Sequence, residues 1–271
     1  LGNNGAVFNN SGVLVKTGSD TNDPSFVFDA RGTFNNLAGG EVRSEVGTLR
    51  VDTGGTSSAT AQWNTTATGN LGIGSASGAA TAAWTGTFSG TSGGTGSVQI
   101  TDPGNGTVCN GTFVVGAAGV TFNIAGTGLE WNNEIINTQG NSLSNAGILR
   151  IAGTGVNEVT NGGMSNTSTG DIDFENGTLT LSGGDLTNNG TFDIESANDK
   201  TLNGGNDLVN ASGGTINHTE GQLTLDGGSD IIGQGGSILN LDAGNLVLTD
   251  GDVTSVGTTN FGGLTYAISG A

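Results

Sequence analysis

Basic residues are scarce. The chain carries six Lys and Arg against 24 Asp and Glu in 271 residues, a formal net charge of −18. Nucleic acid and anionic membrane surfaces are bound through clustered Lys and Arg, so neither is an expected partner. Cysteine occurs once, at Cys109, which rules out an intrachain disulfide and a two-cysteine metal site and leaves that residue as a small buried hydrophobe. Two prolines exclude collagen and proline-rich linkers. No apolar run approaches the ~20 residues that cross a bilayer as a helix, so no membrane insertion is expected. Charged residues of both signs make up 11 % of the chain, where about 25 % is usual. The sequence opens at Leu1 with no methionine or signal peptide, as expected of a mature product or an excerpt of a longer protein.

Glycine fills part of what is missing, with 53 copies. Together with Asn, Ser and Thr it separates short runs of Val, Ile, Leu and Phe. Each such glycine would cost a helix about 1 kcal/mol, and no helical period is visible, so the pattern predicts many short strands joined by tight turns.

These strands repeat. One phrase runs a strand into a glycine turn: Thr178-Leu-Thr-Leu-Ser-Gly-Gly184, Lys200-Thr-Leu-Asn-Gly-Gly205, Gln222-Leu-Thr-Leu-Asp-Gly-Gly228 and Asn245-Leu-Val-Leu-Thr-Asp-Gly251. Its leucines, Leu181, Leu202, Leu225 and Leu248, are spaced 21, 23 and 23 apart. A second phrase ends in Asn two residues after an apolar residue: Phe8/Asn10, Phe34/Asn36, Leu143/Asn145, Met164/Asn166, Leu186/Asn188 and Leu208/Asn210. Its last four Asn are 21, 22 and 22 apart. Two phrases locked to a period of about 22 define a rung. Three strands fit each rung, for example near Leu208, Ile216 and Leu223. One rung cannot bury its own apolar side chains, whereas stacked copies share a continuous core. The expected fold is all-β, a right-handed parallel β-solenoid of about 22 residues and three short strands per rung. The Asn column is expected at a turn, where Asn tolerates left-handed backbone and its amide can hydrogen-bond from rung to rung.

The period divides a single solenoid over 1–271 into regular rungs at 1–55, irregular rungs with loop excursions at 56–135, and regular rungs at 136–271. The irregular part holds Trp63, Trp84 and Trp131, whose expected role is packing rather than carbohydrate stacking. Charge is uneven: residues 1–156 carry −4 and residues 157–271 carry −14.

Acids supply the candidate sites. Asp185, Asp207, Asp230 and Asp252 follow the glycine turn at spacings of 22, 23 and 22, which would stack four carboxylates one rung apart. Like charges at that separation need solvent or a cation between them, and Ca²⁺, which takes oxygen ligands, is the candidate. The plain alternative is that Asp favours turns and faces water. Two i,i+2 pairs, Asp171/Asp173 and Asp193/Glu195, put carboxylates on one face of a strand, as a polysaccharide-cleaving β-helix enzyme would need. In that half only Lys200 and His218 could act as a basic partner, and His218, between Asn217 and Thr219, is expected at the surface. An ice-binding array would need Thr-x-Thr on every rung, and Thr178/Thr180 has no evident counterpart. Triplets such as Asn189-Gly-Thr191 arise freely in this composition and make a weak case for glycan attachment.

The phrases FNNSGVLVKTG, NNGTFDI, GTLTLSGG and GQLTLDGG resemble those of repetitive bacterial surface and exported β-helix proteins. These include filamentous-haemagglutinin-like and autotransporter-passenger-like chains. The resemblance covers 1–55 and 136–271 well and the middle loosely. It implies export to the surface or exterior and a structural or adhesive role without catalysis. Expected partners are further rungs or other copies end to end, and cell-surface or matrix glycans. It transfers no catalytic or cofactor residues. A polysaccharide-active lyase or glycoside hydrolase is the alternative.

Overall fold

The computed structural model describes residues 6–18, 25–28, 32–74, 83–93, 96–100, 112–262 and 266–270; Cys109 lies outside them. They form a parallel β-solenoid of thirty strands in one continuous sheet, with no helix among them. Each strand between the end coils pairs in parallel with its equivalents one coil before and one coil after. In the regular part a coil has three strands. Lys200–Asn203, Leu208–Asn210 and Thr215–His218 lie on Gly177–Leu181, Leu186–Asn188 and Thr191–Ile194, and beneath Gln222–Leu225, Ile231–Gly233 and Ile238–Leu241.

Strict alternation drives this arrangement. In Leu186–Asn188, Thr191–Ile194 and Gln222–Leu225 every second residue is buried and its neighbours are half-exposed, the period-2 signature of a strand with one wet face. Inward residues such as Leu179, Leu186, Phe192, Leu208, Ile216 and Leu225 join one core cluster with those of the other coils. Each fully buried side chain of this size contributes about 1.5–3 kcal/mol.

The leucine phase differs from the sequence reading by two residues. Leu202 pairs with Leu179, not Leu181, then with Leu225, which pairs with Leu248. The spacing is therefore 23 throughout. A slip of two leaves the same face inward, so the apolar pattern alone does not detect it.

Strands lengthen from Glu41 onward, to Glu41–Asp52, Gln62–Gly74, Ala83–Ser92 and Thr112–Gly126. Their pairings are interrupted by register shifts between Ser44 and Val46 and between Val115 and Val120. Here the core is filled by rings. Trp63 lies 5.2–5.9 Å, centroid to centroid, from Phe34, Trp84 and Phe88. Trp63, Trp84 and Trp131 are all fully buried. The indole N–H groups of Trp63 and Trp131 donate to Ser57 Oγ and to the Glu134 carbonyl, each at 2.9 Å. They pack inside the rod and offer no carbohydrate-stacking surface.

Among the described residues, buried Asn makes two separate stacks. Asn10 Nδ2 donates to Asn36 Oδ1 at 2.9 Å. Asn145, Asn166, Asn188 and Asn210 form a second run, each amide donating to the next rung's Oδ1 at 2.8–2.9 Å. All six are buried. The runs are not continuous, because Asn36 pairs with Ser57 and Asn145 pairs with Phe122. Amide stacking is thus as expected, but left-handed backbone is not its reason: among the described residues, the non-glycine positions with positive φ are Asn133, Gln139, Asn161 and Ser196. Asn suits these positions because it can donate and accept at once along a buried column.

Candidate functional site

Parallel register brings the two acid pairs together. Asp173 lies beside Asp193, and Asp171 beside Thr191. Carboxylate oxygens of Asp171, Asp173 and Asp193 come within 4.8 Å of one another, as do those of Asp173, Glu175 and Glu195. Arg150, on the coil below, stands in register with Asp173. Its guanidinium engages Glu175 in a two-pronged contact, Nε to Oε1 at 2.7 Å and Nη2 to Oε2 at 2.8 Å, which raises the Arg150 pKa. Asp193 Oδ1 accepts from Asn217 Nδ2 at 2.6 Å, and Asn240 and Asn260 continue that outer ladder at 2.6 and 2.8 Å.

Five acids thus cluster on this face, while the Arg150 guanidinium is already committed to Glu175. Burial, then the charges of Asp171, Glu195, Asp193 and Glu175, push Asp173 up to about 7. Asp171 moves upward for the same reasons, with burial first and then Asp193 and Glu195. The patch can therefore hold a proton near neutral pH. Its consequence for stability has a definite sign. A carboxyl whose folded pKa lies above its unfolded value favours the fold at low pH and loses that contribution as pH rises toward 7. Asp173→Asn should remove this dependence and stabilise the protein above pH 7 by about 1–2 kcal/mol, a figure reduced for solvent screening of a half-exposed group. Urea midpoints at pH 4.5 and 7.5 check this; an unchanged difference between the two pH values in the variant would contradict it.

The aspartate column is a different object. Asp185, Asp207, Asp230 and Asp252 precede Leu186, Leu208, Ile231 and Val253, which pair in that order. Three of the four carboxylates are used by the next rung's backbone: the N–H groups of Asp207, Asp230 and Asp252 donate to Oδ1 of Asp185, Asp207 and Asp230 at 3.0, 3.1 and 2.8 Å. Burial raises the Asp207 pKa, the Asp230 N–H opposes it, and the charges of Asp230 and Asp185 add to the rise. Among the described residues, the sets of three carboxylates with converging oxygens lie at Asp171–Glu175 and Asp193–Glu195 rather than in this column.

The two candidate basic partners are elsewhere. His218 is fully buried and Lys200 is 1 % exposed, so the expected surface position of His218 is corrected. His218 pairs with Ile194 below and Leu241 above, on the inward face two residues after Ile216. Its polar neighbours Asn217 and Thr219 alternate with it and face out, which made the segment read as surface. Lys200 likewise sits two residues before Leu202, on the inward face. Thr178 does have counterparts, Thr201 and Thr224. The adjacent column, however, runs Glu158, Thr180, Asn203, so no two-column Thr array forms.

No family model and no curated protein matches the chain. The fold places it in the class of parallel β-solenoid repeat proteins.

Proposed function

We propose that this chain is a non-enzymatic structural or adhesive segment of a secreted or cell-surface fibrous protein, a rigid rod rather than a catalyst. The observation that carries the reading is the separation of groups. The acid cluster faces outward, while Lys200 and His218, the residues able to complete an acid–base pair in that half, are enclosed in the core. Buried amide ladders and one continuous core also favour stiffness along the axis, since each coil is tied to both neighbours. Partners under this reading are further rungs or copies of the chain end to end, and cell-surface or matrix glycans.

The alternative, a polysaccharide lyase or glycoside hydrolase, draws on the raised Asp173 carboxyl among its neighbouring acids. Incubation with acidic polysaccharides separates the two. The structural reading expects no new reducing ends and no unsaturated products, with retention on a glycan surface or assembly into fibres seen by electron microscopy. Turnover abolished by Asp173→Asn would replace it.

Calcium in the column of Asp185, Asp207, Asp230 and Asp252 is a further proposal, supported by four stacked carboxylates on consecutive coils. A cation there binds the folded stack and not the unfolded chain, so Tm should rise by several degrees in excess Ca²⁺ over chelator. Asp207→Asn together with Asp230→Asn should abolish that rise. Equal Tm with Ca²⁺ and with chelator would remove the proposal.

A further inference from the structure

The only histidine in the chain is inside the rod, next to a buried lysine, and both are tied to one turn. Lys200 Nζ donates to the carbonyls of Ser196 at 2.7 Å, Asn198 at 2.8 Å and Glu220 at 3.5 Å. His218 hydrogen-bonds the backbone of Glu220 and Gly221. Two cation-forming side chains, from the first and third strands of one coil, therefore converge on residues 220–221. A Cβ built on Gly221 would lie 2.8 Å from Lys200 Nζ, and one on Gly244, in the coil above, 2.8 Å from His218 Nε2. The corner is closely enclosed on its backbone side. On the core side it meets a small apolar pocket lined by Ile194, Ile216, Leu223, Leu239, Leu241 and Leu246.

Charges around this corner are few. Lys200 is the one facing His218 from within. Glu195, Asp199 and Glu220 act on Lys200 from the turns, and Asp242, exposed in the coil above, meets His218 through its backbone N–H to the His218 carbonyl at 3.0 Å. The packed strands contribute Ile194, Leu223, Leu241 and Leu246, all apolar.

We propose that the Lys200–His218 corner is an acid-sensitive joint in the solenoid: a second proton on His218 places two cations in one buried corner and loosens the coils at residues 215–225 and 238–248. An uncharged imidazole fits this place, whereas an imidazolium has an ammonium beside it and apolar side chains over it. In agreement with the geometry, burial and then Lys200 lower the His218 pKa. The sign follows. The folded chain binds fewer protons here than the unfolded one, so the stability present above the ordinary histidine value of about 6.5 is lost as pH falls toward and through the folded value. This is opposite to the Asp173 patch, and it is local.

A single histidine makes the test direct. Its imidazole resonances, followed by NMR, should titrate below the ordinary value, and Lys200→Met should move the midpoint upward. Hydrogen exchange, corrected for intrinsic rates, should show opening of 215–225 and 238–248 increasing by up to about tenfold per pH unit between pH 6.5 and 4.5. In His218→Leu, a side chain matching its column neighbours Ile194 and Leu241, that increase should vanish while exchange at pH 7.5 stays low. A His218 midpoint at or above about 6.5, no response to Lys200→Met, or the same acid-induced opening in His218→Leu would each overturn the proposal. None of these readouts depends on whether the rod is structural or enzymatic.

Discussion

Asn188→Asp, which replaces one NH₂ by one oxygen, is expected to destabilise the protein by about 4–6 kcal/mol at pH 7. Asn188 is fully buried in the middle of its ladder. Its Nδ2 donates to Asn210 Oδ1 at 2.9 Å and to the Thr215 carbonyl at 3.0 Å, and its Oδ1 accepts from Asn166 at 2.8 Å. Aspartate keeps the acceptor and loses both donors. Two acceptors then face a third, and each buried polar group left without its partner costs about 1–3 kcal/mol. The ionised form adds the cost of an enclosed charge, so the introduced carboxyl is forced toward its neutral state. A carboxyl so raised penalises the fold above its own pKa and less below it, and the variant should recover part of its loss toward pH 4. Position within the ladder gives a second check. Asn210 ends the run: its Nδ2 donates to the Ile238 carbonyl at 2.7 Å, and the next residue in the column is Gly233. Asn210→Asp loses one donated bond of this kind and should be the milder change. Thermal or urea unfolding of both variants at pH 4.5 and 7.5 decides. Asn188→Asp within 1 kcal/mol of the parent at pH 7.5, or no milder at Asn210, would show that the ladder carries less than its geometry implies.

The solenoid itself was legible because its signals are local. Alternation of apolar and polar residues, glycine at turns and a recurring length are all printed in the chain. What could not be read was the alignment between coils. The shared Gly-Gly aligns Leu181 with Leu202, whereas the backbone pairs Leu179 there. Both choices bury leucine, so composition cannot separate them. The same limit hid the meeting of Asp173 with Asp193: each pair was visible within its own strand, but the step from Asp171 to its partner Thr191 is 20 residues, shorter than the average rung. His218 departs from its expected surface position for a different reason. Residue type pointed outward while position, two after Ile216, pointed inward, and in a strand position governs. Steps of two along the strand from the core residues Ile216 and Leu202 reach His218 and Lys200, so both point inward. The two Asn runs show the reverse case, where identical phrases near Asn36 and Asn145 belong to different stacks because the long middle strands shift the register between them.

Glycine offers a substitution series in which backbone strain and steric exclusion separate. Gly177 has φ +73°, and a Cβ there would lie 2.2 Å from the Gly153 carbonyl oxygen and 2.6 Å from that of Gly155. Those atoms are backbone of the preceding coil, held by the N–H of Thr178 donating to the Gly155 carbonyl at 2.9 Å, so they cannot swing aside. Gly177→Ala therefore meets left-handed strain of about 1–2 kcal/mol and overpacking of about 1–3 kcal/mol. An expected loss of about 2–5 kcal/mol follows by the same two effects. Gly213 has φ +89° and nothing within 4 Å of a built Cβ. Gly213→Ala should show the strain alone, about 1–2 kcal/mol. Gly235 also has open space and no left-handed backbone. Gly235→Ala should be neutral or stabilising by up to about 1 kcal/mol, through a less free unfolded chain. In a stack where each coil touches only its neighbours, the Gly177 loss should also be local, so hydrogen exchange ought to rise first in residues 148–160 and 171–181. Equal losses at Gly177 and Gly213 would mean that the coils can part to admit a methyl group, and that the close backbone approach at this corner is not what fixes the spacing of the rod.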